Sequence, residues 1–299
     1  MSNFISVIIT TFNRSLYLEE TLISIQNQTY SNIEIIVVDD GSIEELATEN
    51  KLICKNFDKC TYYFKENTGQ PDSRNYGINL SKGDYIAFCD DDDFWALDKL
   101  EKQLKILIKY PEIGLVSGCA YEVDEFSNLI GERQCPIIIN KKNNFEHLLI
   151  KNRFKSPTPL IRREVFDKVG LFDSNYTIAE DWEFWRRVSY YYKFYALDET
   201  LAYVRNHSNN MSKTRNNTPL ARFLLYRKLT GSLIKWGKNK FNKEEYNLIY
   251  RIEWQHYRNL LINHYIGNLK KITFIKSIAL NNFKDAIHFI YLYLKFEIF

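Results

Sequence analysis

No Cys-x-x-Cys pair occurs among the five cysteines, Cys54, Cys60, Cys89, Cys119 and Cys135, and their number is odd. That argues against the common zinc spacings and a disulfide framework, and buried free thiols are expected. No charged segment leads into an apolar stretch with a small-residue cleavage site, because the apolar residues 4–10 are too few and read as a strand. Nor is any uninterrupted apolar run long enough to cross a bilayer. A chain that begins and stays in the cytoplasm is the expectation, and the N-x-S/T pattern at Asn206-His207-Ser208 is then a chance match. Neither G-x-G-x-x-G nor G-x-x-x-x-G-K-[ST] is present, which argues against a dinucleotide fold and a P-loop NTPase.

Acidic residues are missing altogether between Glu199 and Glu244. Residues 1–204 hold 23 Lys and Arg against 32 Asp and Glu, while residues 205–299 hold 17 against 5, so a formal charge of +3 hides parts of −9 and +12. In the basic part, Arg222, Arg227, Lys228, Lys235, Lys238, Lys240 and Lys243 lie among aromatic residues, a composition that suits an anionic membrane surface. A solvated helical face or a dimer contact stays open as the alternative. No nucleic-acid-binding module accompanies the charge, so no nucleic-acid partner is expected. With 299 residues, 45% of them hydrophobic, the chain can build a real core in one large domain with an appendage, or in two domains.

What is present reads as alternating strands and helices. Residues 4–10 (FISVIIT) and 33–38 (IEIIVV) are apolar throughout, as strands buried on both faces are, and the helical pattern between them makes a crossover unit with a parallel sheet. A helix over 44–56, a strand over 61–65, a helix over 73–80 and a strand over 84–89 continue the pattern. An α/β sheet follows, and ligands in such sheets sit beyond the carboxyl ends of the strands. The polar ends TTFN, DDGS and DDDD are therefore expected on one edge.

Further strands are expected at 113–117 and 120–124, an irregular stretch over 130–155, and a short helix over 163–169 closed by Gly170. Trp182, Trp185 and Val188 fall at helical spacing, which puts Glu180 and Asp181 in a first turn. Helices are expected over 219–236, 245–266 and 283–296, with breaks at Asn268 and Asn281-Asn282.

The stretch KGDYIAFCDDDDFW, residues 82–95, concentrates the chemistry. Four consecutive carboxylates, Asp90 to Asp93, at the end of a buried strand repel one another and call for a cation, a hydrogen-bonding ligand or open water. A solvated turn that starts a helix over 94–108 is the simplest reading. An EF-hand loop does not fit: counted from Asp90, the sixth position is Trp95, where glycine is required, and Glu101 at the twelfth carries little alone. Oxygen ligands at alternating positions, Asp90 and Asp92, suit Mg²⁺ or Mn²⁺ carried in with a diphosphate.

Taken in order, SVIITTFNR, QTYSNIEIIVVDDGS, ENTGQPDSRNYGINLSKGDYIAFCDDDDFW, AEDWEFWRR and YVRNHSNNMS resemble a family 2 glycosyltransferase of the GT-A fold over residues 4–212. The resemblance implies a mostly parallel central sheet flanked by helices, with residues 1–212 as the catalytic domain and 213–299 as a basic helical region. It also implies an inverting transfer of a sugar from a nucleotide-diphosphate donor, a UDP-sugar being favoured, to a hydroxyl of a glycan or lipid-linked acceptor, with Mn²⁺ or Mg²⁺ on the diphosphate. Bacterial surface polysaccharide is the product this suggests, while the charge of the basic part extends the expected cytoplasmic location to the inner face of the cell membrane.

By match to the family's motifs, Thr10 and Phe12 border the base, Asp40 accepts from it with Asp39 as neighbour, and Arg74 faces base or diphosphate. Asp90 and Asp91 lie near the ribose, Asp92 is the main metal ligand, His207 reaches metal or diphosphate, and Asp181 is the catalytic base. With four aspartates in a row, the register is open by one residue. Each residue also has an ordinary use: Phe12 in a core, Arg74 in an ion pair, Asp181 as a helix-start charge, His207 as a structural imidazole. The alternative function is a non-catalytic nucleotide-sugar or glycan-binding module on the same fold.

Overall fold

All seven residues of β1 (Ile5–Thr11) are buried, because the strand has neighbours on both edges and helices on both faces. In this computed structural model, which describes residues 3–136, 144–208, 210, 218–264 and 268–298, the chain divides into two compact units, Met1–Ser208 and Asn209–Phe299. In the first, β1 pairs in parallel with β2 (Ile33–Asp39) and β4 (Tyr85–Asp90), and β3 (Cys60–Phe64) lies outside β2. The crossovers are α1 (Leu18–Gln26), α2 (Glu44–Cys54) and α3 (Gln70–Leu80). Gly77 lets α3 lie close on the sheet, since a Cβ there would come 2.5 Å from Ile8 Cγ2.

Beyond β4 the sheet becomes mixed. Its order is β3-β2-β1-β4-β8-β6-β9-β5, with β5 (Phe94–Trp95), β6 (Ile113–Val123), β8 (Leu160–Arg162) and β9 (Lys193–Arg205), and with β7 (Leu129–Gln134) paired to β6. The helices α4 (Lys99–Lys109), α5 (Asn144–Ile150), α6 (Arg163–Val169) and α7 (Glu180–Tyr191) complete the unit. The parallel sheet expected from the alternation is its first half, and the described helix α6 ends at Gly170 as expected.

Three local expectations are corrected. The helix anticipated over 94–108 begins only at Lys99, because Phe94 stacks on Tyr203 with ring centroids 4.8 Å apart and Trp95 pairs across the sheet with Ala202. The strands anticipated at 113–117 and 120–124 are one strand, and the stretch 130–155 contains part of β7 and all of α5, with 137–143 outside the described residues. Finally, Cys119 and Cys135 are joined in a disulfide rather than free: the β6–β7 register sets Ala120 against Gln134, which brings the flanking cysteines to a Cα separation of 4.0 Å. Cys54 and Cys89 are free and buried, and Cys60 is free and half-buried.

The second unit is helical: α8 (Pro219–Gly237), α9 (Lys243–His264), α10 (Asn268–Asn281) and α11 (Phe283–Tyr293). Thr218 caps α8 by accepting from Ala221 N, and Pro219 occupies the first turn, where a missing N–H costs nothing. Phe223, Trp254, Tyr257, Phe274, Phe289 and Leu292 form its core. The sequence suggested three of these helices; α10 lies between the two asparagine breaks. The anticipated boundary after residue 212 and the end of the helix anticipated at 266 lie outside the described residues. Among the described residues no helix is long and apolar enough to cross a membrane.

Candidate active site

The ends of β1, β2 and β4 meet on one edge, because the parallel register sets Thr10 beside Val38 and Asp90, and Thr11 beside Asp39. The three polar strand ends are thus neighbours, and they carry the donor-side residues expected from the sequence. Thr10 is buried and Phe12, two residues on, is half exposed to solvent.

At the β2 end the two aspartates do different work. Asp39 faces inward: Oδ1 accepts from Ser42 N at 2.8 Å, and Oδ2 from Asn50 Nδ2 at 3.1 Å and Tyr62 Oη at 2.8 Å. Asp40 gathers the loop that leads into α3, accepting from Thr68 N, Gly69 N, Ser73 Oγ and the Lys65 ammonium. Gly41, at φ +83°, makes this turn possible, because a Cβ there would lie 2.7 Å from Asn67 N.

At the β4 end the four aspartates are separated by their partners. Asp90 is the outermost; it accepts from Gln70 Nε2 at 2.9 Å and pairs with Arg74 at 3.1 Å. Asp91 is only 1% exposed and is held by Thr11 Oγ1 at 2.6 Å and by the Arg14 guanidinium. Burial pushes its carboxyl up to about 6, even though Arg14 pulls the other way. Asp92 Oδ2 lies 2.9 Å from His207 Nε2 and 2.8 Å from Arg14 Nη1. Asp93 turns inward to accept from Arg205 N at 3.0 Å, and burial together with Asp92 lifts its carboxyl well above the ordinary range.

Two arginines that motif reading left without a role hold this arrangement. Arg14 contacts Asp91, Asp92 and His207; burial works against its charge, but Asp91, Asp92 and Asp90 outweigh that and hold the guanidinium more firmly protonated. Arg205 is buried at the end of β9, donates from Nε to Asp92 O at 3.0 Å, pairs with Glu20 at 2.5 Å and stacks its guanidinium over Tyr17 at 4.3 Å. It thereby ties β9 to the acidic loop and delivers His207 two residues later. Both arginines lie inside the quoted motifs, but each looks locally like an ordinary surface cation.

Arg74, expected to face base or diphosphate, is turned inward and 3% exposed. Its guanidinium donates to Glu180 Oε1 at 2.8 Å, Asp90 Oδ1 at 3.1 Å and Ser156 Oγ at 2.9 Å, and packs on the edge-to-face pair of Phe88 and Phe172. Glu180 is buried, which pushes its carboxyl up against the pull of Arg74. Arg74 therefore clamps the β4 end to the first turn of α7. Ala179, the residue before α7, sits at φ +62°, a left-handed conformation that a residue with a Cβ adopts only when its surroundings impose it. Next along, Asp181 is half-buried and fixed by Asn152 Nδ2 at 2.8 Å and Trp182 N at 2.7 Å.

The donors present fit a divalent cation. Asp92 and His207 would offer such an ion a carboxylate oxygen and an imidazole nitrogen side by side. Mn²⁺ suits the mixed set better than Mg²⁺, which prefers oxygen alone.

Comparison with known proteins is consistent with this geometry. Residues 6–170 match the model of the family described as Glycosyl transferase family 2. An uncharacterized glycosyltransferase of Rickettsia typhi is 32% identical over 219 residues, 72% of this chain and 68% of the relative. Another, of Rickettsia prowazekii, is 31% identical over 286 residues, 93% of this chain and 84% of the relative. Among solved structures, residues 1–349 of S. aureus TarS in complex with UDP-GlcNAc align with a TM-score of 0.68 at 17% identity, over 92% of this chain and 79% of that one. The mannosyltransferase PcManGT from Pyrobaculum calidifontis, in complex with GDP-Man and Mn²⁺, aligns with a TM-score of 0.58 at 15% identity, over 97% and 86%. The likeness to both structures is one of fold, the GT-A arrangement.

Proposed function

Because this chain belongs to glycosyl transferase family 2, and is thus a glycosyltransferase, we propose that it moves a sugar with inversion from a nucleotide-diphosphate donor to a hydroxyl of a glycan or lipid-linked acceptor in bacterial surface polysaccharide synthesis. The observation that carries this reading is the Arg74 clamp, which fastens the acidic end of β4 to the helix that presents Asp181. A donor edge and a candidate base are thereby held in one rigid frame. A UDP-sugar is the favoured donor, by likeness to TarS, which was solved with UDP-GlcNAc.

On this reading Thr10, Phe12 and Asp90 line the donor site, with the half-exposed ring of Phe12 offered to the base. Asp39, Asp40 and Asp91 shape that site by fixing the loops around it, and Arg74 fixes the angle between donor and acceptor sides. Asp92 and His207 would hold Mn²⁺ or Mg²⁺, whose chemistry is to neutralise the charge that grows on the departing diphosphate. Asp181 would accept the proton of the acceptor hydroxyl, and its two hydrogen bonds fix which way the carboxylate points. Attack from the face opposite the leaving group inverts the anomeric centre in one step. Residues 1–212 form the catalytic domain in this proposal.

The second unit is proposed to lie against anionic lipid. Over residues 209–299 there are 16 Lys and Arg against 5 Asp and Glu, and Phe283, Ile287 and Ile290 stand exposed at helical spacing along α11. Apolar residues backed by positive charge are what an interfacial helix presents to an acidic leaflet.

Nucleotide sugars tested for metal-dependent turnover and for thermal stabilisation of the protein examine the main reading directly. Turnover of at least one donor with Mn²⁺, lost in chelator, is expected. Stabilisation by a nucleotide sugar with no turnover in the presence of acceptor glycans would point instead to a binding module.

A further inference from the structure

Arg14 occupies a position that neither the motif nor a donor-binding role explains. Asn13, at φ +49°, is held in a left-handed conformation by accepting from Ile43 N through Oδ1 at 2.9 Å while its own N–H donates to Ser42 Oγ at 2.7 Å. This tight turn aims Arg14 back at the acidic run. Its Nη2 pairs with Asp91 Oδ1, and its Nη1 lies 2.8 Å from Asp92 Oδ2 and 3.1 Å from His207 Nε2, which are themselves 2.9 Å apart.

One guanidinium nitrogen of Arg14 thus lies within hydrogen-bonding distance of both Asp92 Oδ2 and His207 Nε2, the two atoms read as cation ligands. The positive charge also has a reason to be where it is, because the carboxylates of Asp91 and Asp92 are buried side by side against it. The Arg14 side chain is 27% exposed and so has solvent on one side into which it can withdraw.

We propose that Arg14 is a resident cation that fills the divalent-ion position between Asp92 and His207 when no donor is bound, so that the metal enters only with a nucleoside diphosphate. The proposal rests on the reading of Asp92 and His207 as cation ligands. Its energetic content is simple: a site that is vacant for a tenth of the time or less binds its ion about tenfold or more weakly. The diphosphate lifts this restraint by giving the displaced guanidinium an anionic partner of its own.

The test is a titration of the nucleotide-free protein with Mn²⁺, free ion being measured by electron paramagnetic resonance, in the unaltered chain and in Arg14→Met and Arg14→Gln. The variants are expected to bind Mn²⁺ alone about tenfold or more tightly than the unaltered chain, and the gap is expected to close when UDP is present. Equal or weaker Mn²⁺ binding by a folded variant overturns the proposal and leaves the metal reading standing. Failure of every protein to bind Mn²⁺ even with UDP overturns both. The unaltered chain supplies an independent readout: the guanidinium resonances of Arg14 should move when Mg²⁺ and UDP are added together and stay in place with Mg²⁺ alone, and movement with Mg²⁺ alone overturns the proposal.

Discussion

His207 Nε2 lies 2.9 Å from Asp92 Oδ2, although 115 residues separate the two in the chain. The pairing joins the loop after β4 to the segment after β9 and brings a carboxylate and an imidazole to the same point. His207→Ala should weaken Mn²⁺ binding in the presence of UDP roughly 10- to 100-fold, at least as much as losing an outer-shell partner does. The melting temperature should fall as well, because a buried ring that packs on Tyr17 and pairs with Asp92 is lost, but the protein should stay folded so that affinity can be measured. Unaltered Mn²⁺ affinity would remove His207 from the cation site.

Asp181→Asn keeps the size of the side chain and its place at the start of α7 but cannot take a proton. Sugar transfer should fall by about 10²- to 10⁴-fold, while the dissociation constant for the nucleotide sugar stays within a factor of two to three of the original. Calorimetry of donor binding beside a turnover assay separates the two effects. Transfer at the original rate would exclude Asp181 as the base.

Lys99 is a lysine with no exposed surface. It is buried, donates to Gln103 Oε1 at 2.9 Å and lies 3.9 Å over the Trp95 ring, and burial pulls its ammonium down to about 7. The unfolded chain holds this proton up to about pH 10.4, so between the two values the unfolded state binds more protons than the folded one. Stability should therefore rise as pH increases from about 7 towards 10, and be lost as pH falls back. Lys99→Met should flatten that part of the profile and raise the melting temperature at pH 7. Melting curves at several pH values decide the matter; a parallel profile in the variant would show that Lys99 is not the group responsible.

Vesicles containing anionic lipid should retain the protein at low salt and release it as ionic strength rises, because the attraction between a basic unit and an acidic leaflet is screened. Replacing Ile287 and Ile290 with serine should reduce retention without a loss of catalytic turnover on a soluble acceptor. Equal recovery on neutral and anionic vesicles would dismiss the membrane reading.

Much of the first half of the fold could be read from residues alone because its signals are local. Strands such as IEIIVV are apolar from end to end, and DDGS and DDDD mark where they stop. What escaped notice depends on partners far away. Phe94 and Trp95 look like the opening of a helix until Tyr203 and Ala202 come alongside them. The sulfurs of Cys119 and Cys135 meet because a hairpin sets their neighbours opposite each other, which their spacing does not reveal. The site shows the same division: its carboxylates were evident from the run of aspartates, whereas the clamping function of Arg74 and the anchoring function of Arg205 arise from packing against residues such as Phe88 and Tyr17.

Arg205 also fixes the smallest piece of this molecule that could work. The match to the family model stops at residue 170, yet the acidic loop leans on a guanidinium 35 positions further on, which reaches Asp92, Glu20 and the 124–127 turn at once. A fragment cut there would retain every aspartate at the ends of β2 and β4 and lose the strut beneath them.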